Sequence, residues 1–493
     1  MSIKSALAKP YAQWMAGQIQ KDALKAVEHQ EGILRYLLSR GQITRFGKDH
    51  RFDQLTSHYE FSQAVPIRDY EQLKNYIELV RQGESDILWR GKPIYFAKTS
   101  GTTSGSKYIP ISKESIGEHI KAARNALLMY IAQTGNSSFL NGKMIFLSGS
   151  PVLEKQNGIH SGRLSGIVNH HVPSYLTSNR LPSYETNCIE EWEEKVAQIV
   201  EETIHQNMTL ISGIPPWVQM YFDKLIEKGN KPIAELFPNF SLLVHGGVNF
   251  EPYKKKLFTT IGKKIGTIET FPASEGFFAF QDTQDEEGLL LNSNAGMYFE
   301  FVPLDEFFSE HPSRIPLSEV KLGVQYALII SSNAGLWAYN IGDTIKFVSL
   351  MPYRVVVTGR IKHFISAFGE HVIAEEVEYA MRKVSEQYQV SITEFTVAPF
   401  ISQDKGKSYH EWLIEFEQAP QDMAAFSLAL DHALREKNTY YDDLIRGSIL
   451  MPLQIRSLPK NSFIHYMKKI GKLGGQNKVP RLSNDRIIAN GLI

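Results

Sequence analysis

The sequence has a single cysteine, Cys188, among its 493 residues. One cysteine excludes an intrachain disulfide framework and a metal cluster held by several thiolates, and it is typical of a reducing compartment. Net charge is absent as well, because 53 Lys and Arg residues balance 53 Asp and Glu residues. A nucleic-acid partner is therefore not expected. A local basic pocket is still compatible with zero net charge.

Long hydrophobic runs are also missing. No stretch of 18 or more consecutive apolar residues occurs in the sequence, so no transmembrane helix and no membrane partner are predicted. The first residues mix apolar and polar types at helical spacing, without the unbroken apolar core of a signal peptide. The cytoplasm is therefore the expected location. The overall balance of 43% apolar and 22% charged residues argues against wholesale disorder.

Hydrophobic spacing divides the chain into regions of different predicted secondary structure. It predicts helices over residues 1–90, and then strands alternating with helices to about residue 270. Such alternation is typical of a parallel α/β sheet, in which ligands bind at the carboxyl ends of the strands. The pattern becomes rich in strands from about residue 289. We predict a large multi-layer α/β domain over 1–358 and a smaller α+β domain over 359–493.

The strongest chemical signal is the segment TSGTTSGSK, residues 99–107, which directly follows a predicted strand. Glycines permit close backbone approach and positive φ angles, while N–H groups and hydroxyls can surround phosphate oxygens and a lysine adds positive charge. The glycines are too closely spaced for a Walker A motif. A flexible surface linker has the same composition. These residues alone therefore leave a phosphate-binding loop and a linker as alternatives.

Three shorter segments each have a chemical and a purely structural interpretation. Gly246 and Gly247 follow a strand, where they can lie against a flat purine or form a tight strand-to-helix turn. Glu275 can ligate Mg²⁺ beside a phosphate group, or it can be a solvated surface acid. Asp343 can accept hydrogen bonds from a ribose diol or stabilise its own turn. Each segment is a weak signal by itself, but the order of all four along the chain is more specific.

That order resembles the adenylate-forming superfamily, which includes acyl-CoA synthetases, luciferases and the adenylation domains of peptide synthetases. The resemblance extends from about residue 90 to about residue 480. Within the superfamily the chain is most similar to the Gretchen Hagen acyl acid amido synthetases, in a bacterial-type form. The closer similarity rests on the loop at 99–107 followed by Tyr-Ile-Pro, on SGIPPW at 212–217 and on GGQNKVPR at 474–481.

The resemblance implies roles for individual residues. It implies that Glu275 coordinates Mg²⁺, that Asp343 binds the ribose, and that Lys478 reaches the α-phosphate. Lys478, Lys107 and Glu275 are the implied catalytic residues. The residues implied to contact ATP are Ser100, Gly101, Thr102, Thr103, Gly105, Lys107, Gly246, Gly247, Phe271, Ser274, Asp343 and Arg360. Arg360 is also the residue that opens the C-terminal domain in this resemblance.

The sequence departs from the superfamily pattern at three places. Phe271 stands where many relatives have a tyrosine, so stacking is retained and a hydroxyl is lost. Residues 360–363 read RIKH, where an Arg-x-x-Asp form is more common, and the pivot residue stays open. Lys472 is an alternative to Lys478 as the catalytic lysine. We prefer Lys478 because its Gln-x-Lys-x-Pro-Arg context matches better.

The implied activity is that of an AMP-forming ligase that uses ATP and Mg²⁺. A small carboxylic acid would form an acyl-adenylate, and an amine, expected to be an amino acid, would take the acyl group. The small domain is expected to be mobile, with rotation about residues 359–363. The alternative activity is transfer of the acyl group to coenzyme A or to a carrier-protein thiol. A binding module without catalysis is disfavoured, because all four of Lys107, Glu275, Asp343 and Lys478 are present.

The sequence does not determine the roles of two further stretches. It also does not identify the acid, the acceptor or the oligomeric state. Apolar side chains near residues 205–220 and the glycine turn are either walls of an acyl pocket or simply core. They are Trp217, Met220, Tyr221 and Phe250. The paired His170 and His171 have no carboxylate or cysteine at ligand spacing, which disfavours zinc. Arg163 is interpreted as a contact to the acid's carboxylate or to the acceptor.

Overall fold

The computed structural model describes the chain except for residues 1–2, 103–104, 173–178, 248–249, 308, 362–363, 366, 371, 403–406 and 471–478. The chain forms two compact units. The larger unit contains residues 1–102, 106–250 and 257–361, and the smaller one contains residues 103–105, 251–256 and 362–493.

The helices of the described chain lie mostly where the apolar spacing predicts them. Ser112 caps the helix that follows it by accepting a hydrogen bond from the backbone N–H of Ser115. The α-helices are α1 (Ile3–Leu24), α2 (Ala26–Gly41), α3 (Arg45–Asp49), α4 (His58–Ala64), α5 (Tyr70–Arg81), α6 (Lys113–Thr134), α7 (Leu164–Asn169), α8 (Tyr184–Cys188), α9 (Trp192–Thr203), α10 (Pro215–Gly229), α11 (Ile233–Leu236), α12 (Glu251–Ile261), α13 (Ala374–Tyr388), α14 (Met423–Lys437), α15 (Thr439–Arg446), α16 (Ser462–Lys469) and α17 (Ile487–Leu492).

From β5 to β9 the strands alternate with helices, and from β9 to β15 no α-helix of the described chain separates them. This agrees with the strand-rich pattern predicted from about residue 289. They are β1 (Tyr95–Thr102), β2 (Gly105–Ile111), β3 (Lys143–Phe146), β4 (Glu154–Gln156), β5 (Ile159–Gly162), β6 (Arg180–Leu181), β7 (Met208–Ser212), β8 (Leu242–Gly246), β9 (Gly266–Ala273), β10 (Gly276–Phe280), β11 (Leu289–Leu291), β12 (Met297–Pro303), β13 (Gln325–Ser332), β14 (Tyr339–Leu350), β15 (Tyr353–Arg360), β16 (Phe364–Ile365), β17 (Val372–Ile373), β18 (Ser391–Phe400), β19 (Tyr409–Gln418) and β20 (Gln454–Leu458).

A mixed sheet organises the larger unit. Among the described residues its eleven strands run in the order β12-β13-β14-β15-β11-β10-β9-β8-β7-β3-β6. The five strands from β6 to β9 are parallel, because each of their connections contains helices that return the chain to the same edge. The six strands from β10 to β12 pair antiparallel with their neighbours. The predicted α/β class is therefore confirmed.

A second sheet of the larger unit has the order β2-β1-β5-β4. It contains most of the segment that the sequence indicates as a phosphate-binding loop. Strand β1 continues through Thr102 and β2 begins at Gly105, so the expectation of a long loop over residues 99–107 is wrong. The glycines and hydroxyls instead lie on two neighbouring strands, and residues 103 and 104 are outside the described chain.

The core of the larger unit packs α2 to α5 against the antiparallel strands. Trp337 is fully buried there, and its indole N–H donates to the Leu88 carbonyl at 2.8 Å. The ring of Phe46 stacks on Trp337 with a centroid distance of 6.1 Å. The smaller unit has its own core against the sheet β18-β19-β20, with Trp412 fully buried beside Phe395.

Candidate functional site

The carboxyl ends of four neighbouring parallel strands meet at one edge of the main sheet. Phe146 of β3 pairs with Ser212 of β7, and Gly246 of β8 pairs with Thr270 of β9. The structure therefore brings the glycine pair next to the segment that begins with Phe271. This is the edge at which open α/β sheets bind ligands.

Gly246 is required by the packing of β8 against β9. A Cβ at this position would lie 2.3 Å from the Thr270 carbonyl oxygen, which is closer than atoms can approach. Gly247 has a φ angle of 81°, in the left-handed region that favours glycine. The backbone alone thus explains both glycines: β9 fills the space beside Gly246, and the turn conformation requires Gly247.

Phe271 lies inside β9, before the turn of the β9–β10 hairpin. Its side chain is 9% exposed and meets the ring of Phe278 edge-on at a centroid distance of 5.0 Å. The turn of the β9–β10 hairpin consists of Ser274 and Glu275 alone, and both side chains are half-buried. The Glu275 side chain therefore stands at the tip of the β9–β10 hairpin.

Asp343 and Arg360 are brought together by the sheet. They are directly opposite each other on β14 and β15, and the Asp343 side chain is buried. The sequence interpretation of Asp343 as a turn residue is wrong, because the residue lies within a twelve-residue strand. Strands β10 and β11 separate β9 from β15. The register of the sheet therefore does not place this pair beside Phe271.

Lys107 lies on β2, where α5 supports the strand. Its ammonium is 5.9 Å from the centroid of the Tyr70 ring, and the Tyr70 hydroxyl accepts a hydrogen bond from the Tyr108 backbone N–H at 2.9 Å. Burial raises the pKa of Tyr70 to about 12, so the phenol stays neutral. Of the other residues implied for phosphate contact, Thr103 lies outside the described residues. For Ser100, Gly101, Thr102 and Gly105 only the backbone is described.

Two further cationic side chains lie near Tyr108 of β2. The guanidinium of Arg81 lies 3.8 Å from the centroid of the Tyr108 ring, and the ammonium of Lys98 lies 5.7 Å from it. Lys98 also forms an ion pair with Glu154 at 2.6 Å. Sequence reasoning did not single out Arg81 or Lys98, because neither belongs to a recognisable motif.

Lys478 and its alternative Lys472 both lie outside the described residues, so the choice between them stays a prediction. The chain that follows is well anchored in the smaller unit. The carbonyl of Arg481 accepts a hydrogen bond from the Val397 N–H at 2.9 Å, and the Arg481 guanidinium forms ion pairs with Glu378 and Glu394.

A buried, hydrogen-bonded Glu370–His410 pair holds the segment Phe368-Gly369-Glu370. The Glu370 and His410 side chains are fully buried, and Oε1 of Glu370 lies 2.8 Å from Nε2 of His410. The other Glu370 oxygen accepts the Phe368 N–H at 2.8 Å. Sequence reasoning could not find the partner of Glu370, since a histidine inside a strand carries no distinguishing pattern.

The paired histidines have ordinary protein partners. His170 Nε2 lies 2.8 Å from the Pro151 carbonyl oxygen, and His171 Nε2 lies 3.0 Å from the Tyr95 hydroxyl. In the part of the chain that the structure describes, no group of three or more His, Cys, Asp or Glu side chains is arranged to hold a metal ion. A Mg²⁺ ion at Glu275 would thus share its coordination with phosphate and water, as this ion commonly does.

Two of the four side chains suggested as pocket walls, Tyr221 and Phe250, are buried. Tyr221 is fully buried between α9 and α10, and its hydroxyl lies 2.6 Å from Thr203 Oγ1. Phe250 is buried and stacks on His245 with a centroid distance of 3.9 Å. It lies just beyond the glycine pair.

None of the helices in the described ranges is long and apolar enough to cross a bilayer.

Comparisons with known proteins agree along nearly the whole chain. The GH3 family N-terminal domain matches residues 15–179 and 153–265. The GH3 family central domain matches residues 290–360, and the GH3 family C-terminal domain matches residues 375–487. Together these matches cover far more than half of the chain.

Individual relatives are distant but match end to end. The chain is 22% identical to jasmonoyl–L-amino acid synthetase JAR4 of Nicotiana attenuata, over 94% of this chain and 91% of the relative. It is also 22% identical to indole-3-acetic acid-amido synthetase GH3.3 of Arabidopsis thaliana, over 98% of this chain and 94% of that relative. A solved structure of the GH3.15 acyl acid amido synthetase has a TM-score of 0.62 at 15% sequence identity. The match covers 96% of this chain and 95% of that protein. That likeness confirms the predicted fold.

Proposed function

The chain belongs to the GH3 family, as the resemblance in its sequence indicated, and from this membership we propose that it is an ATP-dependent acid–amido synthetase. It activates a carboxylic acid as an acyl-adenylate and then joins the acyl group to an amine, which we propose is an amino acid. The observation that carries this proposal is the match of all three family domains, in order, over residues 15–487. Relatives named as amido synthetases support it by matching over more than nine-tenths of both chains.

The first half-reaction has an electrostatic problem that the proposed residues address. The carboxylate of the acid attacks the α-phosphorus of ATP, so two anions meet while negative charge grows on the departing pyrophosphate. Lys107 on the supported strand β2 would stabilise the pyrophosphate, and Lys478 would neutralise the approach at the α-phosphate. Mg²⁺ held by Glu275 would supply further positive charge to the phosphate oxygens.

The second half-reaction needs no nucleophile from the protein. The amine attacks the carbonyl carbon of the acyl-adenylate, the bond to the phosphate oxygen breaks, and AMP leaves. Gly246, Gly247 and Phe271 would accommodate the adenine, and Asp343 would bind the ribose with Arg360 opposite it on the neighbouring strand. The sheet edge beside β8 and β9 is where these contacts would begin.

We propose further that the small domain moves between the half-reactions, with the pivot within residues 359–363. The division of the chain into two compact units supports separate movement. The catalytic lysine would then arrive on the smaller unit, so that the unit's position controls which half-reaction proceeds.

The proposal is tested by acid-dependent exchange of pyrophosphate into ATP. We expect exchange with at least one member of a panel of aliphatic and aromatic acids, and no exchange without acid. Lys478→Ala should reduce exchange by about a hundredfold or more. Lys472→Ala is the matched control and should retain most of it. Absence of exchange with every acid would contradict the proposed activity.

The acceptor is tested once an acid is known. Release of AMP from the acyl-adenylate should be stimulated by amino acids and should yield the amide. Stimulation by coenzyme A instead, with formation of a thioester, would replace the amido synthetase by an acyl-CoA ligase. Both results use the same purified chain and the same acid.

A further inference from the structure

Strand β2, which carries Lys107, lies at an edge of its sheet. In the order β2-β1-β5-β4 it has a neighbouring strand on one side only, among the described residues. The Ile94 N–H donates to the Ile111 carbonyl at 2.9 Å, so the backbone of Ile111 faces the side of β1. Successive residues of a strand direct their backbone groups to alternate sides, so the backbone of Tyr108 faces the free edge. Pro110 faces that edge too, where its missing N–H costs no hydrogen bond between strands.

Helix α5 covers this edge and supplies an acceptor for it. The Tyr70 hydroxyl accepts a hydrogen bond from the Tyr108 N–H at 2.9 Å. Tyr70 is 4% exposed, and Leu73 and Ile77 of the same helix are fully buried. The hydroxyl is therefore held by a helix that is itself fixed in the core. Without the hydroxyl, the Tyr108 N–H would lose its partner in a place that water reaches poorly.

The other end of α5 contacts the side chain of the same tyrosine. The guanidinium of Arg81 lies 3.8 Å from the centroid of the Tyr108 ring, a distance at which a planar cation stacks on an aromatic face. Arg81 is held in turn by an ion pair with Glu78 at 2.6 Å on the same helix. The first and the last residue of α5 thus hold Tyr108, one through its backbone and one through its ring.

These contacts act directly on the neighbouring lysine. The N–H that Tyr70 accepts belongs to the peptide group that joins Lys107 to Tyr108. A peptide group is planar, so a bond to its N–H also fixes the backbone on the carboxyl side of Lys107. The Lys107 ammonium lies 5.9 Å from the centroid of the Tyr70 ring. One buried phenol therefore contacts both the backbone and the charged group of this part of β2.

We propose that Tyr70 and Arg81 are positioning residues for the first half-reaction, which hold Tyr108 and thereby place the Lys107 ammonium against the phosphates of ATP. This inference rests on the proposed function, since it takes Lys107 as a residue that meets the phosphates. Neither positioning side chain has to touch the nucleotide. Helix α5 gives β2 the support that an edge strand does not receive from a second neighbouring strand.

The test removes one contact at a time and keeps the rest of each side chain. Tyr70→Phe retains the ring and deletes the acceptor of the Tyr108 N–H. Arg81→Lys retains the positive charge and loses the planar group that stacks on the ring. Each variant is also made in a Lys107→Ala background, which removes the residue through which both are proposed to act.

The chain offers a matched control for each variant. Tyr76→Phe removes another phenol hydroxyl of α5, which donates to Asp49 at 2.7 Å and does not contact β2. Arg35→Lys alters an exposed arginine of α2 that pairs with Glu31. Both controls should change the use of ATP by less than about twofold.

We expect Tyr70→Phe to lower kcat/KM for ATP in pyrophosphate exchange by about tenfold or more, while the KM for the acid changes by less than about twofold. Arg81→Lys should lower the same constant by about threefold. In the Lys107→Ala background the further loss from either variant should be less than about twofold. A merely structural role predicts losses that multiply in this background and that do not separate ATP from the acid.

The inference is overturned if Tyr70→Phe and Tyr76→Phe impair the use of ATP equally, or if the loss in Tyr70→Phe is undiminished in the Lys107→Ala background. If Tyr70→Phe does not fold, the comparison of Arg81→Lys with Arg35→Lys decides by the same criteria.

Binding of MgATP, measured by calorimetry, gives the same comparison without catalysis. A wild-type chain that binds ATP but shows no acid-dependent exchange would contradict the proposed function, and the binding data would still decide the roles of Tyr70 and Arg81. A wild-type chain that binds no ATP would overturn both.

Discussion

At the scale of single residues, burial fixes charge states that the sequence does not reveal. His119 lies on α6 and is 5% exposed, and its burial lowers the pKa of the imidazole to about 4. An unfolded chain protonates the same ring near pH 6.5. Between these values the unfolded state binds a proton that the folded state does not. Acidification through this window should therefore lower the free energy of unfolding, by up to about 3 kcal/mol.

Urea unfolding at about pH 7 and about pH 4.5 measures this effect. His119→Gln should lose most of the corresponding pH dependence, whatever its stability at neutral pH. His205→Gln removes an exposed histidine and is the control. A pH dependence in His119→Gln equal to that of the wild type would contradict the buried, uncharged imidazole.

Gly246 gives a second prediction at this scale. Gly246→Ala places a Cβ 2.3 Å from the Thr270 carbonyl oxygen, so β8 and β9 must move apart at the edge that the site uses. We expect a loss of about 1–3 kcal/mol in the free energy of unfolding and a higher KM for ATP. Gly117→Ala is the control. It lies on an exposed face of α6 with nothing near its Cβ position, and it should be neutral or stabilising. Equal effects of the two substitutions would contradict the packing argument.

At the scale of secondary-structure elements, apolar spacing predicts most helices and strands because each buries one side. The predicted alternation of strands and helices up to about residue 270 includes the parallel strands β3, β7, β8 and β9. The strands within residues 99–107 were not predicted. Glycine and hydroxyl residues indicate a loop locally, and only pairing with neighbouring strands makes this segment extended. Asp343 was assigned to a turn for a similar reason. Gly342 has a positive φ of 88°, but it lies within a strand whose register shifts.

The site was predictable to the extent that it follows strand ends. The glycine pair comes beside Thr270, next to Phe271, because β8 and β9 are neighbours. The buried partner of Glu370 was not predictable. His410 is 40 residues away in sequence, and its role depends on how β19 packs against the segment at 368–370.

The buried pair of the smaller unit gives a prediction for this element. His410→Leu leaves the Glu370 carboxylate buried without its partner, and we expect a loss of about 3–5 kcal/mol in the free energy of unfolding. The double variant His410→Leu with Glu370→Gln should recover part of this loss, because the uncompensated charge is gone. Glu436→Gln breaks an exposed ion pair with Lys383 and should cost less than about 1 kcal/mol. A double-mutant cycle without coupling would contradict the interpretation.

At the scale of the whole molecule, the sequence predicted two domains of unequal size. The two compact units add a detail that no local pattern indicates. Residues 251–256 at the start of α12 belong to the smaller unit, while residues 257–261 belong to the larger one. Within the smaller unit, the Tyr253 hydroxyl donates to the Ala367 carbonyl, and its ring meets Phe368 edge-on at 6.2 Å. The helix that follows the glycine pair is thus shared by both units.

The proposed pivot can be tested without knowing its geometry. Lys362 lies outside the described residues, immediately after the larger unit ends at Ile361. Lys362→Pro would fix φ near about −65° and remove a backbone donor, which restricts rotation while leaving the residues proposed to bind ATP intact. If the chain pivots here between the half-reactions, Lys362→Pro should slow pyrophosphate exchange and amide formation to different extents. We expect the two losses of rate to differ by about tenfold or more. Lys362→Ala removes the same side chain without restricting the backbone, so it should leave both rates nearly unchanged. Equal losses of both half-reactions in Lys362→Pro would show that the substitution disturbs folding or binding in general, and that the chain turns elsewhere.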